Sequence, residues 1–508
     1  MSRTQYAIKN AGFGILSKCL NLIFAFISRT VFIYTLGTTY LGVSSLFTEI
    51  LAFLSFAELG FGSAMTFTMY KPVADDDTEK VIKLLDFYRK GYRLIALIIA
   101  ILGLCLLPFL SYIVQGADWL SNIDLMIYFL IYLFNTVVSY FVSYKYTYLN
   151  ALQKNYVQIN IDAVITTVSY VVQILVLFIF ENFLIYLCAN SLILLMSRVG
   201  IVVYLDRKYP ILKLKPGIPL SKEEKRPIYN EMKGLAVHQF ASVAVHSTDN
   251  ILISSMISVV TVGLVSNYTM LINAVLGFVT ILFNSVTAGF GNLVASSTEA
   301  NYRKIFKEIN FINFWIYGFC CIAFWILLPP FITLWIGADK LIDSAALALI
   351  IANCYFQGQS TAYHTARIAK GNFNKDKWWA ILQAMVNLVV SVICAHKFGL
   401  VGIYIGTVVS RMVYVICRPY STYKFLYGES CVHYYKKLVF YFLQVMIAAA
   451  ITSVMTSKIL VTISISSFIM ASVVVVVVPN CLFLLFNFRT KEFLAFKTRL
   501  LNIVRRQF

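Results

Sequence analysis

The sequence predicts an all-α, polytopic membrane protein of about 14 transmembrane helices, and three observations carry that prediction. Of the 508 residues 60% are hydrophobic and 13% charged, with a mean hydropathy of +0.78. Soluble domains average about 45–50% apolar and about 25% charged residues. The apolar residues come in blocks of about 20, the length needed to cross hydrocarbon as a helix that satisfies its own backbone. Basic residues cluster between every second pair of blocks. Strand-like alternation is absent, which argues against an outer-membrane barrel.

The blocks place helices at about 11–36, 40–70, 93–115, 123–144, 156–180, 183–205, 234–257, 260–290, 309–335, 343–366, 378–396, 400–417, 438–457 and 461–487. The first is too long for a signal-peptide core and lacks a small-x-small cleavage site, so it is read as retained. The second is long enough to be tilted, kinked or partly outside the membrane. Segment 71–92 reads as a short amphipathic helix at the inner surface. Segment 206–233, rich in Lys and Pro, reads as a cytoplasmic linker. The expected organisation is a six-helix bundle over 1–205, that linker, a second six-helix bundle over 234–417, two additional helices within 418–487, and a basic tail over 488–508 lying along the inner leaflet. An internal repeat offset by about 221 residues aligns "LGVSSL" with "VGLVSN" and "KPVADDDTEKVIKLL" with "GNLVASSTEANYRKIFK". Six helices separate the equivalents, so the two bundles are expected to be parallel repeats.

The net charge of +19 serves topology rather than nucleic acid, because no aromatic-basic nucleic-acid module is visible. With the N-terminus in the cytoplasm, 35 of the 42 basic residues fall in inner segments. Lys340, Lys397 and Lys458 fall outside, and Lys18, Arg29, Arg198 and Arg411 fall within spans. This asymmetry follows the positive-inside rule and places both termini in the cytoplasm. The ten cysteines are scattered through apolar blocks without Cys-x-x-Cys or Cys/His metal spacing and read as small apolar fillers. No Walker A or dinucleotide fingerprint is present, so no cofactor is expected and energy would come from an ion gradient, the membrane potential or the substrate's own gradient.

Ionisable residues within spans cost about 2.5–3.5 kcal/mol each on insertion scales, so they are expected to face partners or water. Arg29 precedes Gly37 by eight residues and Glu49 follows Leu41 by eight. Both therefore lie about 12 Å below the outer surface, where antiparallel helices would set them side by side. Such a pair either fixes two helices or exchanges its acid for a substrate phosphate. In the seventh helix His246, Asp249 and Asn250 share one face, with Asn267 entering the eighth at similar depth. Arg29 maps onto Asn250 under the repeat, so both bundles would offer polar groups to a shared cavity. Interhelical hydrogen bonding alone is the competing account. Glu58, between flexible glycines in "AELGFGSAM", reads as a protonation or ion site or as a buried neutral acid. Asp162 and Arg198 lie toward inner helix ends, as do His364, Arg367 and Arg411, which would form a funnel collecting an anionic headgroup; snorkelling to the interface is the alternative. Asp162 and Asp249 join Glu58 as candidates for ion coupling. Gln357 and Gln359 are candidate sugar-facing groups.

The passages "RTVFIYTLGTTYLGVSSLFTEIL", "FAELGFGSAM", "YKPVADDDTEKVIKLLDFYRKGYR", "YLNALQKNYVQ" and "STDNILISSMISVVTVGLVSNYTMLI" together resemble the Wzx-type polysaccharide flippases. These form the polysaccharide transporter branch of the multidrug/oligosaccharidyl-lipid/polysaccharide exporter superfamily. The resemblance runs from about residue 5 to 430. It implies a V of two six-helix bundles around a cationic cavity in the bacterial cytoplasmic membrane. It also implies alternating access that turns undecaprenyl-pyrophosphate-linked repeat units across the bilayer for capsule or exopolysaccharide assembly. Arg29 would be the cavity cation, with protons or sodium as coupling ions and membrane lipid and other polysaccharide-assembly proteins as partners. An ion-coupled multidrug exporter of the same superfamily is the alternative, expected to favour carboxylates and aromatics over arginine. A membrane polymerase or ligase would favour a sizeable outer loop, and every predicted outer loop is short.

Overall fold

A computed structural model describes residues 3–58, 61–296, 299–361, 363, 377–423 and 430–498. Among them every regular element is helical. In chain order these are α1 (Arg3–Leu54), α2 (Phe61–Ala74), α3 (Thr78–Leu106), α4 (Leu110–Ile113), α5 (Asn122–Ala151), α6 (Asn155–Phe180), α7 (Phe183–Lys208), α8 (Lys222–Met256), α9 (Val259–Ser296), α10 (Glu299–Ile336), α11 (Ser344–Gln359), α12 (Lys377–Thr422), α13 (Val432–Ser457) and α14 (Ile465–Asn487).

Ten described helices are long and apolar enough to cross a membrane. Two of them, Lys18–Leu54 and Trp378–Ser421, each hold two of the spans read from sequence. They break at Gly37 (φ 82) and Gly399 (φ 53), left-handed backbone that glycine adopts without a Cβ clash. α8 and α11 cover two further spans, so the fourteen-helix reading and the all-α class hold. α8 ends at Met256 and α9 starts at Val259, which places this turn at the same offset from Gly37 that the repeat gives.

Four local features differ from the sequence reading. The second span is interrupted: α1 gives way to a 3-10 turn over Ser55–Glu58 before α2 begins at Phe61, a kink beside the glycines. Segment 71–92 is not a separate helix. α2 runs on to Ala74, Asp77 caps the next helix by accepting from Lys80 N, and α3 continues unbroken for 29 residues. The basic linker is shorter than 206–233, because α8 starts at Lys222. There Ser221 and Glu224 form a capping box that satisfies two otherwise orphaned backbone donors; bonding to Ser221 N, foremost, holds the Glu224 carboxyl below the ordinary range. Lys145, read as loop, lies within α5, is 2% exposed and pairs with Asp206 of α7.

The chain divides into two compact units, Met1–Ser266 and Asn267–Phe508. In the first, α1 packs on α6 and α8, α3 on α5, and α6 and α5 on α7. Packing groups α8 with the first unit, whereas order along the chain would give it to the second bundle. The closest approach is backbone on backbone. A Cβ at Gly42 would lie 1.9 Å from Val259 O, and one at Gly263 2.2 Å from Thr38 O, the small-residue contact that lets membrane helices pack. In the second unit α11 packs on α10 and α12, and α10 on α13 and α14. Its core is aromatic: Phe314 stacks on Tyr441 at 4.1 Å and meets Phe483 at 5.1 Å.

Candidate functional site

Within the first unit, polar side chains gather in two layers along α5, α6 and α7. The first is built around Arg29 of α1. Its Nη1 donates to Ser266 Oγ at 3.3 Å, and the side chains of Tyr186, Tyr170 and Tyr132 lie near the guanidinium. Tyr132 shares a 2.5 Å hydrogen bond with Ser44, and Tyr186 is held edge-on to Phe32 at 5.2 Å. Beside Arg29 runs a ladder. Ser28 Oγ donates to Gln173 Oε1 at 3.2 Å, and Gln173 Nε2 donates to Asn190 Oδ1 at 3.0 Å. The ladder ties α1 to α6 and α6 to α7 and fixes the tyrosines around the cation.

The expected Arg29–Glu49 pair does not form. Among the described residues Arg29 makes no ion pair, and the Glu49 carboxylate takes the Ser247 hydroxyl of α8 instead. Residue counts along a helix do not fix the direction a side chain takes around it. Arg29 thus remains a cation among tyrosine and serine hydroxyls, a setting in which an incoming anion meets no ion-paired carboxylate among the described residues.

The second layer lies nearer the helix ends that the charge pattern assigns to the cytoplasm. Glu58 accepts from Tyr92 OH at 3.4 Å and from Tyr140. Asp162 accepts from Tyr146 OH at 3.2 Å and from Gln158, and Tyr146 also bonds Arg198. The partners of these carboxylates, Tyr92 on one side and Tyr146 and Gln158 on the other, line an open cavity of about 320 Å³ together with Gly62 and Thr66 of α2 and Ser143, Thr147 and Asn150 of α5. Arg198, placed by the sequence with Asp162 toward the inner helix ends, lies close enough to act on the Asp162 carboxylate. Tyr186 and Arg198 are twelve residues apart on α7, about 18 Å, and Asp162 and Tyr170 are eight apart on α6, about 12 Å.

Asp249 and Asn250 are half-buried neighbours on α8. In the second unit Asn267 is wholly buried, and neither of its side-chain polar atoms has a hydrogen-bond partner. Gln357 is exposed, while Gln359 is wholly buried with both amide atoms unbonded. Arg411 lies on α12. It is 6% exposed, and its Nε donates to Asn353 Oδ1 at 3.0 Å, because a side-chain acceptor on α11 lies within its reach. His364 and Arg367 lie outside the described residues, as do the side chains of His238 and His246.

Sequence reasoning missed Tyr132, Tyr140, Ser143, Tyr146, Thr147 and Asn150. Their signal is present in "YLFNTVVSYFVSYKYTYLN", where hydroxyl and amide groups recur at helical spacing along one stretch of α5.

No protein-family profile matches the chain, and no curated protein sequence matches it. Among solved structures it is similar to the lipid II flippase MurJ in an inward closed conformation, at TM-score 0.67 and 16% identity over 95% of this chain and 98% of that one. It is also similar to an inward-facing multidrug resistance MATE family transporter of the MOP superfamily, at TM-score 0.60 and 16% identity over 81% and 96%. A mutant form of the Vibrio cholerae MATE transporter VcmN matches at TM-score 0.57 and 15% identity over 84% and 99%. At such identities the likeness establishes the fold alone, the one that these transporters share.

Proposed function

We propose that the chain is a flippase that translocates undecaprenyl-pyrophosphate-linked oligosaccharide repeat units across the bacterial cytoplasmic membrane by alternating access, for capsule, exopolysaccharide or a related surface glycan. The observation that carries this reading is Arg29. An arginine in a span is costly, and here it bonds the Ser266 hydroxyl with three tyrosines nearby and no ion-pair partner among the described residues. Guanidinium groups bind phosphate through paired, charge-assisted hydrogen bonds. A fold shared along nearly the whole chain with a lipid II flippase supports the same class of substrate. The basic inner loops and tail suit contact with anionic lipid, with both termini in the cytoplasm.

A second reading, an ion-coupled multidrug exporter, draws on the MATE likeness and on Glu58 and Asp162, two half-buried carboxylates bonded to tyrosines. Deletion of the gene and complementation separate the two. Under the flippase reading, loss accumulates lipid-linked repeat units on the cytoplasmic face, and Arg29→Ala reaches the membrane at normal levels yet fails to clear them. Wild-type clearance by Arg29→Ala would remove the role given to this residue. Unchanged lipid-linked units together with raised drug sensitivity on deletion would favour the exporter.

A further inference from the structure

We infer that the cavity lined by the partners of Glu58 and Asp162 is a subsite for one neutral or amino-bearing sugar ring, distinct from the phosphate-selecting Arg29 layer. The inference rests on the flippase reading for its biological setting and on the cavity's own chemistry for its ligand.

Size comes first. A volume of about 320 Å³ is that of about ten waters at about 30 Å³ each, and it falls at the lower end of small-molecule sites, about 300–1,000 Å³. A bare metal cation needs oxygens at about 2.3–2.6 Å around a single point, and walls this far apart do not supply them. Among the described residues no three metal-ligating side chains converge.

The lining then selects among molecules of that size. Thr66, Ser143, Tyr92 and Tyr146 bring hydroxyls, and Asn150 and Gln158 bring amides. Such groups both donate and accept, which matches a polyol, whose own hydroxyls do the same. Asn150 Oδ1 is shielded from solvent and has no hydrogen-bond partner within the protein. An acceptor left in that state costs about 1–3 kcal/mol, and a ring hydroxyl, amide N–H or amine would satisfy it once the Asn150 side chain turns toward the cavity.

Charge excludes the anionic candidates. Arg198 is matched by Asp162 through Tyr146. The neighbouring bases are committed elsewhere: Arg89 to Leu212 O at 2.8 Å and Lys145 to Asp206. Glu58 adds a carboxylate whose recorded partners are tyrosines. A phosphate or a uronic acid would therefore meet Arg198 only beside the carboxylate that balances it, whereas an amine would be drawn toward the nearby carboxylates.

The test uses the purified full-length chain in lipid nanodiscs and saturation-transfer NMR, a method suited to weak ligands. The probes are N-acetylglucosamine, glucosamine, glucuronic acid and inorganic pyrophosphate, each alone and in competition. The expected result is saturable transfer to the two former sugars, undisturbed by pyrophosphate. It should weaken about tenfold, the loss of one or two hydrogen bonds, in the Asn150→Leu/Gln158→Leu double variant. Thr66→Val, which removes one lining hydroxyl at nearly constant shape, serves if the double variant melts below wild type. No sugar signal in wild type, equal signal in both variants, or displacement of sugar by pyrophosphate would each overturn the subsite. Sugar binding that persists in a chain whose deletion leaves lipid-linked units unchanged would instead overturn the flippase reading and leave the subsite standing.

Discussion

The two polar layers of the first unit draw on the same three helices and on the same residue types, mainly tyrosine with serine, threonine and amides. They differ in what is charged and in what is left unbonded. Around Arg29 the ionisable group is a cation, and the neighbouring polar atoms of Ser28, Gln173 and Asn190 are bonded to one another. Around the cavity the ionisable groups are two carboxylates and one arginine, and Asn150 Oδ1 is unbonded. The first layer is thus built rigidly around one charge, as suits a phosphate, whose binding energy is electrostatic. The second offers many weak, neutral contacts and one open acceptor, as suits a ring of hydroxyls. A bundle with both can hold a molecule whose charge sits at one end and whose sugar sits some 12–18 Å away.

The largest expected effect concerns what holds the second layer in place. Lys145 stands on α5 between Tyr144 and Tyr146 and is buried against Asp206. Removing one member of a buried ion pair typically costs about 3–5 kcal/mol, because the other charge is left without compensation. Lys145→Ala should therefore lower the melting temperature more than any substitution in the Arg29 layer. The double variant Lys145→Met/Asp206→Leu should recover most of that loss. A double variant as unstable as the single one would mean that the pair contributes more than mutual neutralisation.

Next in size is the contrast between the charges. Losing a charge-assisted contact to phosphate costs about 1.5–3 kcal/mol, so Arg29→Gln should slow clearance of lipid-linked units by about ten- to a hundredfold. Glu58→Gln keeps the shape and can still accept from Tyr92, so it should slow clearance by less than tenfold. The reverse order would make the carboxylate the more important group and would turn the comparison toward ion-coupled export.

The sequence made the helices legible because spans of apolar residues and basic inner loops are strong, redundant signals. Gly37 and Gly399 marked turns because little else than glycine tolerates that backbone, and Glu58 among glycines marked the kink. The errors share one cause. Counting ionisable residues by depth finds those that lipid would penalise, but it does not give their direction around a helix, so Arg29 was set against Glu49 rather than Ser266. The apolar block ends at 144, one residue short of Lys145, whereas α5 runs on to Ala151 and carries Lys145 inward to Asp206. The tyrosines and hydroxyls of α5 went unnoticed because each is cheap in lipid, and their meaning lies in sharing one face. Asp162 and Arg198 were both singled out, yet nothing in the sequence joins them; the packing of α6 on α7 does.

The smallest expected effects discriminate between the layers most sharply, because they differ in sign. Gln173 is 8% exposed and bonded on both sides, so Gln173→Leu leaves the Ser28 hydroxyl and the Asn190 carbonyl without partners in a low-dielectric setting. That should cost about 1–3 kcal/mol. Asn150→Leu deletes an acceptor that no protein group satisfies and adds apolar contact, so its effect on unfolding should be near zero or stabilising by up to about 1 kcal/mol. Stability gained by deleting a polar group is the expected signature of a site held ready for a ligand rather than for the fold. Parallel thermal melts of the two variants in the same nanodiscs measure the difference. Equal destabilisation would mean that Asn150 holds the helix bundle together just as Gln173 does, and the distinction between a structural layer and a receptive one would be lost.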